Sequence, residues 1–271
     1  MPFRGAYLGP AGSMQLLGHI RGKASVSSSR ATSYRATLGG RLRAQVSPQV
    51  LREWKCELPL ATPEEARHLK ALASGVFGLG PFSWVPVQAT TTNVMSLGAS
   101  MPGPSHASWQ GPGVASGAWS LPGMGLVRHS VVADGQRITM GIGTPVVAGM
   151  PLTGAAWISG SGVVWTQTVD RSGAIVDMAS TRVMGTDPVR VSATIPAVSP
   201  AAVSARVRVT EATQLALPSL AWTDQLEDWA PGGGSNQVLV EGFDADLLHL
   251  DPSQGLHEDI SFTVKELSSD A

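Results

Sequence analysis

Short runs in which apolar and polar residues alternate make up most of the chain, and turn-forming residues separate one run from the next. Alternation with a period of two places successive side chains on opposite faces of a β-strand. Many short runs of this kind predict an all-β sandwich or barrel. In the middle of the chain we predict strands at 127–132, 138–142, 155–159, 163–169, 189–195 and 204–209.

The two ends of the chain carry the same strand pattern. Residues 33–46 predict a β-hairpin, because an alternating arm, a Gly-Gly turn and a second arm with basic and apolar faces follow one another. Residues 50–60 predict a further strand with Arg52, Trp54 and Cys56 on one face. Two more strands are predicted near the other end, at 237–240 and 260–264.

One segment has the signals of a helix. Thr62 is a suitable N-cap, Pro63 occupies the first helical position, and Glu65 completes a capping box. Apolar residues three apart form a stripe, and Gly75 follows the last of them. We therefore predict one short helix over residues 63–74.

Composition supports a strand-rich chain with loops. Only 14% of the 271 residues are charged, whereas 31 are Gly and 19 are Pro. Few long solvated helices can be built from such a composition. Residues 96–117 are rich in Gly, Pro, Ser and Ala and predict a linker or an irregular entry into a second domain, and Gly-Gly-Gly at 232–234 predicts a flexible break.

The overall charge disfavours two classes of partner. A formal net charge of -1 and a pI of about 6.6 give no field that would hold nucleic acid or an anionic membrane. No apolar run reaches the roughly 18 residues that a membrane helix needs, and the first residues lack a signal-peptide pattern. We expect a soluble, unprocessed chain without membrane insertion. Cys56, the only cysteine, permits no internal disulfide.

Charge is unevenly distributed along the chain. Through residue 55 there are nine basic residues and one acidic residue, a net of +8, and residues 223–271 carry eleven acidic residues and one basic residue, a net of -10. Opposite charges attract across neighbouring strands, so the two segments are expected to lie side by side, in one subunit or across a subunit boundary. Two unrelated solvated surfaces explain the same distribution, because exposed ion pairs are individually weak.

The sequence contains no recognisable catalytic or cofactor motif. It lacks a P-loop, a Rossmann glycine pattern and a Gly-x-Ser-x-Gly elbow, and its six histidines are scattered. Leu248 stands where a calcium loop beginning at Asp244 would need an oxygen ligand. Asp170 lies in a turn-like Asp-Arg-Ser-Gly sequence, and no carboxylate pair for glycoside hydrolysis stands out. We predict no enzymatic activity, no cofactor and no metal site.

Tryptophan is unusually frequent, with eight Trp against five Phe and two Tyr. A flat indole face can stack on a sugar ring, although buried aromatic residues more often simply pack. Trp157 and Trp165 lie within alternating strands and are predicted to be core residues. Trp109, Trp119 and Trp229 lie in Gly- and Pro-rich segments and are the candidate glycan contacts.

Several short motifs follow one another in an order that is characteristic of one protein family. In the first 95 residues they are 51–54 (Leu-Arg-Glu-Trp), the helix at 62–73, 78–84 (Gly-Leu-Gly-Pro-Phe-Ser-Trp) and 93–95 (Asn-Val-Met). Further along they are 154–162, 170–173, 189–193, 228–233 and the closing strand 259–267. This order resembles the distal tail or minor tail proteins of long-tailed, siphovirus-like actinobacteriophages.

The resemblance implies a discontinuous tail-hub β-sandwich, related to the tail-tube fold, with an inserted jelly-roll sandwich like a carbohydrate-binding module. Residues 1–95 and 236–271 would form the hub, and residues 96–235 the insert. The implied function is that of a structural virion protein that forms a ring, by resemblance a hexamer, at the distal end of the phage tail. It would link the tail tube protein to tip or baseplate proteins, and the insert would contact host cell-wall glycan.

A ring of identical subunits brings one patch of each subunit against a different patch of the next. The oppositely charged ends of this chain suit such a contact, and the candidate interface residues are Arg41, Arg43, Asp244 and Asp246. The alternative is a carbohydrate-binding module outside any virion, carried by the central sandwich and its tryptophans. A glycan hydrolase ranks last, because no carboxylate pair is identifiable.

Overall fold

The computed structural model describes residues 5–18, 20, 25–30, 32–36, 42–46, 50–101, 109–111, 114–211, 213–251 and 255–268. The chain forms two compact units, each assembled from separate stretches of sequence. The sandwich unit comprises Met1–Leu16, Phe82–Asn236 and Asp270–Ala271, and the hairpin unit comprises Leu17–Pro81 and Gln237–Ser269.

The fold is all-β with three short helices among the described residues, so the predicted fold class is confirmed and two further helices are added. The helices are α1 (Pro63–Ala73), α2 (Val87–Thr91) and α3 (Leu97–Ser100). The strands are β1 (Ala6–Gly9), β2 (Gln15–Leu17), β3 (Ser25–Ser29), β4 (Thr32–Ala36), β5 (Leu42–Val46), β6 (Leu51–Ala61), β7 (Phe82–Val85), β8 (Trp109–Gln110), β9 (Val114–Leu121), β10 (Gly125–Val132), β11 (Arg137–Pro145), β12 (Leu152–Gly160), β13 (Gly162–Val169), β14 (Ile175–Val183), β15 (Val189–Ile195), β16 (Ser204–Thr210), β17 (Thr213–Ala221), β18 (Ser235–Asp251) and β19 (Gly255–Glu266).

Two antiparallel five-stranded sheets form the sandwich unit. Their strand orders are β15-β12-β17-β10-β9 and β14-β13-β16-β11-β8. The chain passes repeatedly from one sheet to the other, as in a jelly roll. The inner faces share one core, to which Ile158 and Leu215 contribute from the first sheet and Val164 and Val207 from the second. Burial of these apolar side chains is the main stabilising term for the unit.

The six strands predicted in the middle of the chain are all present; β15 has the predicted bounds, and the other five strands are longer than predicted. The prediction omitted β14 and β17. β17 is buried along most of its length and contains Pro218, so it lacks the alternation that identifies a half-exposed strand.

The predicted linker at 96–117 is wrong for its described residues. Ser96 caps α3 by accepting a hydrogen bond from the Ala99 N–H at 3.2 Å, and residues 98–100 are buried. Strand β9 then begins at Val114. Small residues were needed here because α3 packs closely inside the sandwich unit. Composition alone does not distinguish this packing requirement from chain flexibility, since both favour Gly and Ala.

The predicted flexible break at 232–234 is also wrong. The Gly234 N–H donates to the Met95 carbonyl oxygen at 3.0 Å. A Cβ atom on Gly234 would overlap the carbonyl oxygen of Val94. These glycines therefore allow two backbone segments to touch, and they do not form a loose hinge.

The hairpin unit is built on antiparallel pairings in which β19 lies between β18 and β6, and β3 pairs with β6. Strand β6 alternates as predicted, because Arg52, Trp54, Cys56 and Leu58 are buried and the residues between them are more exposed. Burial also raises the pKa of the Cys56 thiol to about 12, so the thiol stays protonated and unreactive at neutral pH.

A buried ion pair connects β6 to β19. Arg52 donates from Nε to Glu266 Oε2 at 2.9 Å and from Nη2 to Glu266 Oε1 at 2.7 Å. The Arg52 backbone N–H donates to the same carboxylate at 3.1 Å, and the guanidinium carbon lies 4.9 Å from the Trp54 ring centroid. The two-point contact fixes the register of two strands that are far apart in sequence.

The predicted helix is confirmed as α1, with its capping box. Thr62 Oγ1 accepts from the Glu65 N–H at 3.3 Å, and the Glu65 carboxylate accepts from the Thr62 N–H at 2.9 Å. Gly75, with φ at +75°, follows the C-cap residue and ends the helix. Lys70 pairs with Glu258 of β19 at 2.5 Å.

Two antiparallel hairpins extend the hairpin unit. The predicted hairpin is confirmed as β4 and β5, which form a two-stranded sheet with register from Thr32↔Val46 to Ala36↔Leu42. Pairing of β19 with β6 is described as far as Glu258↔Ala61, whereas β18 and β19 remain paired to Asp251↔Gly255. The tip of the β18–β19 hairpin is thus a two-stranded ribbon.

The compact units divide the chain near residues 16, 81 and 236, whereas the sequence-based domain boundaries are 95 and 235. Strand β1 pairs with β7 in the sandwich unit, with Tyr7 opposite Val85. Tyr7 and Val85 contribute to the same core as the sheets. The assignment of 1–95 and 236–271 to a hub, and of 96–235 to an insert, stays a prediction.

Candidate functional site

The outward face of the sheet β15-β12-β17-β10-β9 carries an unusual set of aromatic and polar side chains. Along β12, Ala156 and Ile158 enter the core, and Trp157 points to the opposite side and packs on a small cluster formed by Leu121, Ala216 and Leu217. We call the side that carries Trp157 the outer face. Sheet pleating places alternate residues of each neighbouring strand on this same side.

Strand register brings residues from distant parts of the sequence into a row across the outer face. Arg190 of β15 is directly opposite Trp157 of β12, and Trp157 is opposite Ala216 of β17. On the far side, His129 of β10 is opposite Gly117 of β9. This set, which we call the transverse row, runs from the guanidinium of Arg190 through the indole of Trp157 to the imidazole of His129.

Trp119 is held in place by two contacts. Its ring stacks on His129, with ring centroids 4.7 Å apart and an interplanar angle of 26°. Its Nε1 donates to Gln214 Oε1 at 3.1 Å. A Cβ on Gly117 would lie 2.9 Å from His129 Cε1, so glycine at this position leaves room for the imidazole. Burial lowers the pKa of His129, which keeps the stacked ring neutral.

A cleft of about 600 Å³ opens beside Trp119 on the outer face. Its polar lining comes from hydroxyl and amide groups, and its apolar lining from Trp119, Val131 and neighbouring residues; the polar groups belong to Ser159, Thr186, Thr213 and Gln214. None of the lining residues in the described part of the chain is charged. We call this space the Trp119 cleft. A concave site with an aromatic wall and a few fixed polar groups is typical of small-molecule binding.

Two of the three hydroxyl groups that line the Trp119 cleft, those of Ser159 and Thr213, already donate their protons to the protein. Ser159 Oγ donates to the Thr186 carbonyl oxygen at 2.6 Å, and Thr213 Oγ1 donates to the Ser159 carbonyl oxygen at 2.8 Å. Both hydroxyl oxygens keep lone pairs with which to accept a hydrogen bond. Gln214 uses its carbonyl oxygen for Trp119, which leaves its amide nitrogen as a donor.

Trp229 and Arg190 extend the outer face away from the Trp119 cleft. Trp229 packs beside Trp157 on the small apolar cluster, and its Nε1 donates to the Pro218 carbonyl oxygen at 3.3 Å. Arg190 Nη2 donates to Ser219 Oγ at 3.4 Å. Burial lowers the pKa of Arg190, and the nearby carboxylates of Asp228 and Glu227 oppose that shift.

Three nitrogen atoms of the transverse row are buried without a hydrogen-bond partner in the part of the chain that the structure describes. They are Nδ1 of His129, Nε1 of Trp157 and Nε of Arg190. Buried polar atoms are normally satisfied, so each exception calls for a structural or functional explanation. Their occurrence in one row marks the outer face as a candidate site.

The structure brings together some of the predicted tryptophans and separates others. Trp119 and Trp229 both lie on the outer face. Trp109 lies on β8 of the other sheet, where its Nε1 donates to the Ala99 carbonyl oxygen at 2.8 Å and its ring packs on the core. The prediction that Trp157 and Trp165 are core residues is wrong, because the residues flanking each of them point inward and leave both indoles half-buried on outward faces.

Asp244 and Asp246, two of the four predicted interface residues, are exposed side by side in the hairpin unit. With Glu57 and Asp259 they line a cavity of about 390 Å³, which we call the acidic recess. Arg41 lies outside the described residues. The backbone of Arg43 is opposite Arg35 in the β4–β5 hairpin, and the Arg43 side chain lies outside the described part.

No group of three or more His, Cys, Asp or Glu residues that could hold a metal ion occurs in the described part of the chain. Asp170 is a turn residue, as expected, because its Oδ1 accepts from the N–H groups of Ser172 at 2.9 Å and Ala174 at 3.0 Å. The Ser172 hydroxyl, which donates to the same oxygen at 2.7 Å, lowers the pKa of Asp170, and the backbone donors add to that shift. Among the described residues, no helix has the length and apolar character needed to cross a membrane.

Comparison with known proteins gives only distant structural likenesses. No protein-family model and no curated protein sequence matches the chain. Arabinose-bound MgGH51 α-L-arabinofuranosidase is 14% identical with a TM-score of 0.35, and the match covers 49% of this chain and 26% of that one. The enzymatically active domain of bacteriophage CBA120 tailspike protein 4 is 9% identical with a TM-score of 0.32, covering 50% and 21%.

The xylan-binding domain CBM22-1 from Paenibacillus barcinonensis Xyn10C is 8% identical with a TM-score of 0.34, and the match covers 50% of this chain and 99% of that domain. The match covers nearly all of this xylan-binding domain, whereas the chain spans only about a quarter of the arabinofuranosidase and about a fifth of the tailspike domain. The all-β assignment itself rests on the strand pairings of this chain.

Proposed function

We propose that the sandwich unit binds carbohydrate on its outer face, and that the chain is a structural protein of a bacteriophage tail. The observation that carries the first part is the Trp119 cleft, in which a fixed indole ring stands beside hydroxyl and amide groups. A sugar ring has an apolar face of C–H groups and a rim of hydroxyls. The cleft offers a matching surface for each.

Fixation of Trp119 strengthens this proposal. Its stacking on His129 and its hydrogen bond to Gln214 hold the indole before any ligand arrives. A rigid aromatic wall loses little conformational freedom on binding, so more of the contact energy appears as affinity. Trp157 and Trp229 continue the aromatic surface beyond the cleft.

Binding of the full-length protein to an array of bacterial and plant oligosaccharides tests this function, followed by calorimetry with the best ligand. Trp119→Ala should weaken binding at least about tenfold, because it removes the stacking surface. Trp165→Ala is the matched control, since this half-buried tryptophan lies on the outward face of the other sheet. Equal binding by wild type and Trp119→Ala would move the site elsewhere, and absence of any glycan ligand would refute the proposal.

The second part of the proposal is the structural role, for which the resemblance to distal tail proteins is the starting point. In this role the hairpin unit assembles copies of the chain into a ring, by resemblance a hexamer, at the distal end of the tail. The ring would join the tail tube protein to tip or baseplate proteins, and the sandwich unit would contact glycan on the host cell wall. The virion is then the location of the protein.

The hairpin unit has a feature that favours self-association. Two-stranded hairpins are only marginally stable in water unless something packs on them. The β4–β5 hairpin carries an exposed Tyr34, with 69% of its surface accessible, and Arg35 beside it. The acidic recess offers the opposite charge. A basic hairpin of one copy and an acidic recess of the next are suited to the heterologous contact that closes a ring.

A further inference from the structure

We infer that the Trp119 cleft selects an uncharged saccharide and discriminates against sugars that carry carboxylate or phosphate groups. This inference rests on the proposed carbohydrate binding and adds the chemical class of the ligand. Three features of the site support it: the charge of the lining, the direction of the hydrogen bonds at Ser159 and Thr213, and the environment of Arg190, the cation of the transverse row.

The lining of the Trp119 cleft has no charge with which to pair an anion. Its described residues are apolar, hydroxyl or amide residues, and its aromatic wall stacks on a histidine whose lowered pKa keeps it neutral. Moving an ionised group from water into such a site is unfavourable unless a partner ion or several donors replace its hydration. A neutral sugar has a much smaller desolvation penalty.

The direction of the hydrogen bonds at Ser159 and Thr213 also disfavours an anion. Ser159 and Thr213 donate their hydroxyl protons to backbone carbonyl groups, so they present lone pairs to a ligand. Carboxylate and phosphate oxygens only accept hydrogen bonds and would face these lone pairs without a proton between them. A sugar hydroxyl can donate to Ser159 or Thr213 and accept from the amide nitrogen of Gln214, so a pair of neighbouring hydroxyls matches the site.

Arg190, the cation of the transverse row, does not supply the missing charge. It lies on β15 opposite Trp157, and its Nη2 group is engaged with Ser219. The carboxylates of Asp228 and Glu227 act on it electrostatically, so its charge is already compensated. An anionic ligand at Arg190 would compete with two carboxylates, which again favours a neutral ligand.

A substitution at Gln214 distinguishes selection of an uncharged sugar from stacking on Trp119 alone. Gln214→Glu keeps an acceptor for the Trp119 indole but removes the amide donor and places a carboxylate in the cleft. We expect Gln214→Glu to weaken binding of a neutral oligosaccharide at least about tenfold, the loss expected when a hydrogen bond is replaced by an unmatched charge. Gln110→Glu, the same change at an exposed position on β8 of the other sheet, is the control and should bind like wild type.

The experiment compares neutral hexose oligosaccharides with matched oligosaccharides carrying uronic acid or phosphate, using the full chain and calorimetry. The expected result is measurable binding of a neutral oligosaccharide that is insensitive to sodium chloride, with the acidic counterpart weaker by about tenfold or more. Tighter binding of the acidic glycan, abolished by Trp119→Ala, would overturn this inference and leave the proposed carbohydrate binding intact. Absence of binding to every glycan would overturn both.

Discussion

Gly234 and Val94 meet with no side chain between them. The glycine N–H donates to the Met95 carbonyl oxygen at 3.0 Å, and its Cα lies against the peptide group of Val94. Gly232 and Gly233 lie in similarly close contacts, against the carbonyl oxygens of Met95 and Ser96 and the side chain of Ala89, respectively. The run of three glycines is a packing requirement of the sandwich unit.

Gly234→Ala should therefore destabilise the protein by about 2 kcal/mol or more, because a methyl group has no space beside the backbone of Val94. Chemical denaturation followed by tryptophan fluorescence measures this loss. Gly185→Ala is the control, since a Cβ there meets nothing within 4 Å. If both variants unfold at the same denaturant concentration, close packing does not explain why position 234 requires glycine.

Single-residue composition could not identify these roles in advance. Gly, Ala and Ser are abundant both in linkers and where backbones touch, so composition predicts a linker or irregular entry at 96–117 and a flexible break at 232–234. Tryptophans were misassigned for a related reason: strand alternation shows that two faces exist but not which face is inward. Trp157 was predicted as core, and its neighbours Ala156 and Ile158 are the core residues.

At the scale of elements, the pairing of β6 with β19 depends on a charged contact inside an apolar face. The Glu266 side chain is fully buried, and the Arg52 side chain is 9% exposed. The pair is desolvated, so its favourable hydrogen bonds are largely offset by lost hydration. If one partner is removed, the remaining charge stays buried with neither water nor a counter-ion, which is strongly destabilising.

Glu266→Gln should lower the free energy of unfolding by about 3–5 kcal/mol, because the Arg52 charge stays buried without its carboxylate. Glu241→Gln is the matched control, since the Lys265–Glu241 pair at 2.6 Å is about half exposed on both sides. That variant should lose much less stability, because exposed ion pairs contribute little. Urea unfolding measures the free energy of unfolding of both variants. Similar losses would mean that burial of the Arg52–Glu266 pair contributes little to stability.

Elements with strong local signals were predictable, and those shaped by tertiary packing were not. The capping box at Thr62 and the alternation along β6 identified α1 and β6 to within a few residues. β17 escaped prediction because it is buried on both faces and has no period of two. α2 and α3 are too short for helical periodicity to appear in the sequence.

The whole molecule combines a near-zero net charge with strongly charged regions. The acidic recess lies in the hairpin unit, and the β4–β5 hairpin adds Arg35 and Tyr34 to an exposed two-stranded sheet. Contacts between copies that rely on such charges weaken as salt screens them. The proposed ring can therefore be tested through its dependence on ionic strength.

Sedimentation velocity of the full chain should show a closed oligomer that dissociates as sodium chloride rises from about 50 to about 500 mM. Replacing Asp244 and Asp246 together by Asn should give smaller species at low salt, because both side chains line the acidic recess. A double variant with Asn at Asp187 and Asp224, two exposed carboxylates of the sandwich unit, should assemble like wild type. Monomers under every condition would contradict self-assembly of the ring.

The candidate site was only partly accessible to sequence reasoning. Trp119 and Trp229 could be singled out as tryptophans in loop-rich segments, but His129, Gln214, Ser159 and Arg190 gave no signal. Their significance depends on the register across β15, β12, β17, β10 and β9, which joins residues as far apart as Ser130 and Leu215. A period of two along one strand contains no information about which strand lies beside it.

The Arg52–Glu266 contact joins residues that are 214 positions apart, which has a consequence for biosynthesis. When β6 leaves the ribosome, the strand that will cover its edge has not been translated. The intervening sandwich segment, residues 82–236, is translated before β19, and domains tend to fold as they emerge. β6, with Trp54 and Cys56 on its apolar face, must therefore wait as an open strand edge through most of translation. That interval is when chaperone binding would matter most to the yield of folded protein.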